Sequence, residues 1–105
     1  MPGVLSGPFS KTKVTDKGLK ELAGIKQLQT LKLSFTGVTD EVLKDLAELK
    51  QLQTLDLDAT DVTDKGLKEL AGMKQLQELD LAGTGVTDKG RKELQKALPD
   101  CHIRY

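Results

Sequence analysis

Residues 62–85 read VTDKGLKELAGMKQLQELDLAGTG. Nearly the same words begin at Val14 (VTDKGLKELAGIKQLQTLKLSFTG) and at Val38 (VTDEVLKDLAELKQLQTLDLDATD), and a fourth copy, VTDKGRKELQKALPDCHIRY, runs from Val86 to Tyr105. The step from Val14 to Val38, to Val62 and to Val86 is constant, and the copies beginning at Val14 and Val62 agree at 19 of 24 positions. A fixed period of this size marks a solenoid, in which each unit buries its apolar side on the next.

Each unit alternates two hydrophobic periods. Leu31 and Leu33 are separated by polar Thr30, Lys32 and Ser34, the pattern of a strand with one face buried. Leu19, Leu22 and Ala23 fall on one face of a short helix over 16–24. Thr15, Thr39, Thr63 and Thr87 each stand where a hydroxyl can cap such a helix, and the aspartate after each adds a favourable charge at its start. Lys65 with Glu69 and Lys89 with Glu93, like Lys17 with Glu21, stand four apart on these helices, so side-chain ion pairs are expected. Gly18 and Gly66 are replaced by Val42 in the middle copy, and Gly24 and Gly72 by Glu48. A valine rarely adopts positive φ, so these glycines serve close helix approach or inheritance and not a left-handed backbone.

The two ends depart from the repeat. Shifting the chain by one repeat places Val4 under Leu28, Gly7 under Leu31, Phe9 under Leu33 and Thr12 under Thr36, which makes residues 1–13 a partial unit. Pro2 and Pro8 suit an edge strand there. At the other end Arg91 and Gln95 replace a leucine and an alanine, as in a terminal cap. Ile103 and Tyr105 align with Leu79 and Leu81, giving a last strand from Cys101 onward. The expected organisation is one domain over 1–105: a partial repeat at 1–13, full repeats at 14–37, 38–61 and 62–85, and a capping repeat at 86–105. This is an α/β solenoid of about five parallel strands and four short helices, right-handed because the strand–helix–strand crossover is right-handed.

The pattern Leu28-x-x-Leu31-x-Leu33-x-x-Thr36-x-Val38, repeated at Leu52 to Val62 and Leu76 to Val86, resembles the leucine-rich repeat, in the 24-residue form with VTD-x-G-L-x-x-L found in many bacterial proteins. The resemblance covers roughly residues 4–105. It implies a curved solenoid with strands on the concave side, a usual role in binding proteins or peptides, and rarely catalysis. The family's usual turn asparagine is threonine here, at 12, 36, 60 and 84. The resemblance implies that these residues stack as a ladder bonding neighbouring backbones.

Composition narrows the function classes. Sixteen basic and sixteen acidic residues give zero formal net charge, which argues against nucleic-acid or membrane-surface binding through a basic face. No apolar run approaches the ~20 residues needed to cross a bilayer. With no secretory leader pattern at the start and a single cysteine, a cytoplasmic site is favoured and no disulfide framework is expected. Three aromatic residues, two Phe and one Tyr, leave little to stack on bases.

Placed side by side, the strands expose three rows. One reads Pro8, Lys32, Asp56, Asp80, Arg104; the row before it Ser6, Thr30, Thr54, Glu78, His102; the row after it Ser10, Ser34, Asp58, Ala82. At a strand spacing of ~4.8 Å, Asp56, Asp58, Glu78 and Asp80 form one acidic cluster. Two readings follow. In one, this face, with Lys32 and Arg104 at its flanks, takes a protein or peptide partner with basic or hydrogen-bond-donating groups. In the other, it is a solvated surface on which Lys32 pairs with Asp56 and Asp80 with Arg104. A metal site is not expected, because a flat strand face lacks the backbone carbonyls that hard cations favour. No cofactor is implied. Cys101 and His102 are adjacent on a strand and so point to opposite faces, poorly placed as nucleophile and base. A patch of a few hundred Å² falls short of the ~800 Å² that each partner gives to a standard interface. The alternative to a ligand-binding module is therefore a self-associating or engineered repeat scaffold, with copies joined through edge strands.

Overall fold

The inward positions of the repeat are mostly leucines, and each lies on its equivalent one repeat further along. In a computed structural model, which describes residues 4–5 and 24–105 (of Val4 and Leu5 the backbone only), Leu31, Leu55 and Leu79 are buried, with Ile103 closing the row. Leu33, Leu57 and Leu81 form a second buried row, and Leu28, Leu52 and Leu76 a third. Full burial of such a side chain is worth about 1.5–3 kcal/mol. Because each row draws one residue per coil, no coil can make that burial alone.

The rows are held by a five-stranded parallel sheet in the order β1-β2-β3-β4-β5. The strands are β1 (Val4–Leu5), β2 (Thr30–Lys32), β3 (Thr54–Asp56), β4 (Glu78–Asp80) and β5 (His102–Arg104). From β2 onward the register is one repeat per strand: Leu31 faces Leu55, Leu55 faces Leu79, and Leu79 faces Ile103. At β1 it differs from the sequence expectation. Leu5, and not Gly7, stands beside Leu31, and Val4 stands beside Thr30. The offset there exceeds one repeat by two positions, which brings a leucine to the register of the leucine row where a strict repeat would leave a glycine. The readings placed on Pro2, Ser6, Gly7, Pro8, Phe9, Ser10, Thr12, Thr15, Lys17, Gly18, Glu21 and the helix over 16–24 lie outside the described residues.

Three helices among the described residues cover the other side: α1 (Asp40–Leu46), α2 (Asp64–Leu70) and α3 (Asp88–Ala97). The first two make only two turns each, too few for an independent helix in water. α1 persists because Val42, Leu43 and Leu46 are buried, and α2 because Leu67 and Leu70 are. Caps assist as the sequence suggests. The hydroxyls of Thr39, Thr63 and Thr87 accept from the amides of Glu41, Lys65 and Gly90. The i,i+4 ion pairs expected on α2 and α3 are not formed. Among the described residues the one ion pair is Lys26 with Glu48, at 3.7 Å and well exposed, since long solvated side chains gain little by pairing.

The coils are also tied by a polar clasp that the repeat pattern does not announce. Asp40 accepts from the Thr63 amide at 2.7 Å and from its hydroxyl at 2.5 Å. Asp64 does the same with Thr87, at 2.9 and 2.5 Å. One threonine hydroxyl thus accepts from its own helix and donates to the preceding coil, using both of its capacities. Glycine makes room for the clasp: a methyl group at Gly66 would overlap Asp40 and Leu43, and one at Gly90 would overlap Asp64. The close-approach reading therefore holds for Gly66. Gly24 has open space around it, a Cβ at Gly72 would meet only the Glu69 carbonyl oxygen at 4.0 Å, and neither has positive φ.

The turn threonines behave differently from the ladder the resemblance implies. Thr36, Thr60 and Thr84 donate to the carbonyls of Leu33, Leu57 and Leu81, each at 2.7 Å. These bonds close each coil's own turn, because a short hydroxyl reaches three residues back more readily than across to the next coil. Among the described residues the left-handed positions also lie elsewhere, at Phe35 (φ 60°), Ala59 (φ 55°) and Gly83 (φ 71°), at the same place in three successive turns.

The last coil is finished by polar side chains. Gln95 donates to the carbonyls of Leu98 and Cys101, both at 2.9 Å, and the Arg91 guanidinium stacks 3.6 Å above the Tyr105 ring. Tyr105 is accordingly exposed, not buried like its counterpart Leu81.

Turn and clasp can each be tested by unfolding in urea. Ala59→Gly should stabilise by about 1 kcal/mol and Gly83→Ala should cost about the same, since a Cβ is strained in the left-handed region. Replacing a helical glycine by alanine is ordinarily neutral or stabilising, yet Gly90→Ala should cost about 1–3 kcal/mol by crowding Asp64. Adding Asp64→Ala should remove most of that penalty. The same aspartate carries a pH signature. Its bonds from the Thr87 hydroxyl and amide lower its pKa below the ordinary 3.8. The clasp's contribution is thus present above that value and is lost as pH falls through the folded-state value, and Asp64→Ala should flatten this acid limb.

Candidate functional site

The pleat that sends leucines inward sends the residues between them out on the opposite side. The register aligns Lys32 with Asp56, Asp56 with Asp80, and Asp80 with Arg104. Beside that row run Thr30, Thr54, Glu78 and His102. Lys32, Glu78, His102 and Arg104 are exposed, and Asp56, Asp58 and Asp80 half-buried. Five of the six residues singled out from the sequence, Lys32, Asp56, Glu78, Asp80 and Arg104, line one shallow depression of about 400 Å³ over the backbone of the strands, the side chains of Leu55 and Leu79 lying on the other side in the core. Asp58 sits at its margin, beyond the strand end.

The expected four-carboxylate cluster resolves into three. One oxygen from each of Asp56, Asp58 and Asp80 lies within 4.8 Å of the others. Glu78 stands apart on the row it shares with His102. Two of the three have a local structural task. Asp56 accepts from the Asp58 amide and Asp80 from the Ala82 amide, each at 3.0 Å. These are side-chain turns that close the strand just before the left-handed residue. Asp56 also accepts from the Ser34 hydroxyl at 2.8 Å. The signal was in the sequence, as an aspartate recurring two residues before the turn. The lysine at the same place in β2 concealed it.

The sideways pairs Lys32–Asp56 and Asp80–Arg104 are not formed within ion-pair distance among the described residues. The aspartates instead turn toward backbone amides, which leaves both cations unengaged by them. Phe35, whose ring the sequence pattern does not single out, is also exposed, at the left-handed position following Ser34.

Crowding of the carboxylates shows in Asp58. Burial, then the charges of Asp80 and Asp56, push its pKa above the ordinary 3.8, with Arg104 opposing. Cys101 is buried, and desolvation followed by Glu78 raises its thiol pKa, the opposite of what a nucleophilic cysteine requires. His102, beside it in the chain, is exposed on the other face. No described helix is long and apolar enough to cross a membrane.

The parallel one-repeat register, the leucine rows and the turn after each strand define a class. The fold is of the leucine-rich repeat type, α/β with parallel strands alternating with helices. A family profile described as Leucine Rich repeat matches residues 50–71 and 74–94. Among solved structures, the chain is similar to a leucine-rich repeat protein of Leptospira interrogans (26% identity, TM-score 0.59), covering 82% of this chain and 27% of that one. It is similar in fold to leiomodin-1 actin-binding site 2 (18% identity, TM-score 0.74, covering 98% of this chain and 69% of that one). It is also similar in fold to an internalin from Listeria monocytogenes (20% identity, TM-score 0.59, covering 88% and 32%). The chain therefore spans about a quarter to a third of the two bacterial proteins' length. No curated protein matches it significantly. Modules of this class are generally protein-binding scaffolds and typically not catalytic.

Asp58→Asn tests the electrostatics of the face. A carboxyl whose folded-state pKa is raised binds more protons folded than unfolded, so its contribution to stability improves as pH falls toward the ordinary carboxylate range. The asparagine variant should be more stable than the parent at pH 7. The difference should shrink as pH is lowered through the raised folded-state value toward 3.8, as followed by thermal unfolding across pH.

Proposed function

We propose that the chain is a non-catalytic protein- or peptide-binding module that works through its strand face. The observation that carries this reading is the depression between Lys32 and Arg104, which charges of both signs line without pairing to one another among the described residues. The leucine-rich repeats matched at 50–71 and 74–94, a kind of module that generally binds proteins, support it. Asp56, Asp58, Glu78 and Asp80 would receive basic or hydrogen-bond-donating groups of the partner, and Lys32 and Arg104 would engage acidic groups at its ends. From β2 to β5 the face spans only four strands, about 14 Å. A partner gripped by that area alone is a short segment held with modest affinity, well below a standard interface. The actin-binding site of leiomodin-1 shares the fold at too low an identity to suggest the partner.

A variant carrying Asp56→Ala, Asp58→Ala, Glu78→Ala and Asp80→Ala tests the reading, because these side chains can be cut without touching the leucine rows. Affinity capture with quantitative mass spectrometry should show partners held by the parent and lost by the variant, at a temperature where circular dichroism shows both folded. A variant that retains every partner of the parent would overturn the assignment.

A further inference from the structure

Which partner the face fits is constrained by the order of its charges. Across β2 to β5 the outward row runs Lys32, Asp56, Asp80, Arg104, one residue per strand: positive, negative, negative, positive. This order reads the same in both directions, with a consequence for self-pairing. Turned about a two-fold axis along the strands, a second copy lays its Arg104 on Lys32 and its Asp80 on Asp56. Turned about an axis across the strands, it lays each residue on itself. Both docks that overlay the whole row oppose like charges, which isologous interfaces avoid. The full row of four charges is therefore complemented by a different molecule and not by a second copy docked in register.

We propose, resting on the reading above, that the occupant is an α-helix of another protein lying across the strands, with a basic pair at its centre and an acidic residue at each end. The four charged positions lie at about 0, 4.8, 9.6 and 14.4 Å along the row. Positions i, i+3, i+7 and i+10 of a helix share one face and lie at about 0, 4.5, 10.5 and 15 Å along its axis. An extended segment repeats its same-face residues every ~6.8 Å, too widely for the central pair of aspartates. The dimension along the strands also agrees. Three-residue strands present about 10 Å of surface, close to the 10–12 Å diameter of a helix with its side chains. Acidic residues at i and i+10 then meet Lys32 and Arg104, and basic residues at i+3 and i+7 meet Asp56 and Asp80.

The test uses the full chain and two cross-linked helical peptides of about 18 residues, long enough to hold a helix in water. One carries Glu, Arg, Arg, Glu at i, i+3, i+7 and i+10. The other carries Arg, Glu, Glu, Arg at the same places, with the same composition overall. Fluorescence anisotropy should show the first binding about tenfold or more tighter at low salt, with the advantage shrinking as salt rises. A protein bearing Lys32→Glu, Asp56→Lys, Asp80→Lys and Arg104→Glu, shown by circular dichroism to be folded without the turn bonds of the two aspartates, should reverse the preference. Equal binding of the two peptides, or no reversal by the swapped protein, overturns the helix assignment. A random-peptide library selected on the parent chain separates the two levels. Selected sequences that need the four carboxylates but lack the i, i+3, i+7, i+10 pattern overturn this proposal and leave the binding face standing. Selected sequences indifferent to those carboxylates overturn both.

Discussion

Stacking at a fixed register is the constraint on which the molecule depends. Each inner coil has a strand of three residues and a helix of two turns, and neither holds alone in water. Burial of Leu31 on Leu55 and of Leu55 on Leu79 supplies what the single coil lacks. Since the apolar rows run through the whole stack, stability is shared between neighbours, and a change in one coil is felt chiefly by the coils on either side.

Register needs more than leucine, because a row of similar apolar side chains discriminates weakly between neighbouring alignments. The aspartate–threonine clasp provides a directional component. Asp40 can hold Thr63, and Asp64 can hold Thr87, only when the next coil has advanced by one full repeat. Gly66 and Gly90 lie beside these contacts with no Cβ to obstruct them. The motif T-D-x-G therefore joins three tasks in four residues: helix cap, inter-coil clasp and clearance. On the opposite side of the coil, the turn threonines and the turn-closing aspartates Asp56 and Asp80 bond to backbone groups of their own coil and shape the strand ends.

That division of labour leaves the strand face with charges whose positions are set by the fold. Asp56 and Asp80 are oriented by backbone amides, so their side chains are partly ordered before any partner arrives. Lys32 and Arg104, by contrast, are long and form no ion pair with any described residue. For the proposed partner, a fixed acidic centre with adaptable basic flanks would lower the ordering cost at the centre and allow reach at the rim.

The period, the two alternating hydrophobic patterns and the threonine caps were legible in the sequence because each is a short-range regularity repeated in register. From them follow the parallel sheet, the layer of helices and the rows Lys32–Asp56–Asp80–Arg104 and Thr30–Thr54–Glu78–His102. Only the tertiary structure decided what contacts those residues make. The threonine–aspartate pair belongs to two coils at once, a relation across the stack that no local pattern discloses. Leu5 took the place expected of Gly7 because pairing to β2 is judged by the finished sheet and not by sequence period. The carboxylates form a group of three with Glu78 aside, and no ion pair among the described residues crosses the strands, because backbone amides at the turns compete for Asp56 and Asp80. A repeat determines which residues become neighbours, whereas the choice among several possible bonds at each neighbour is made only once the backbone groups around it are in place.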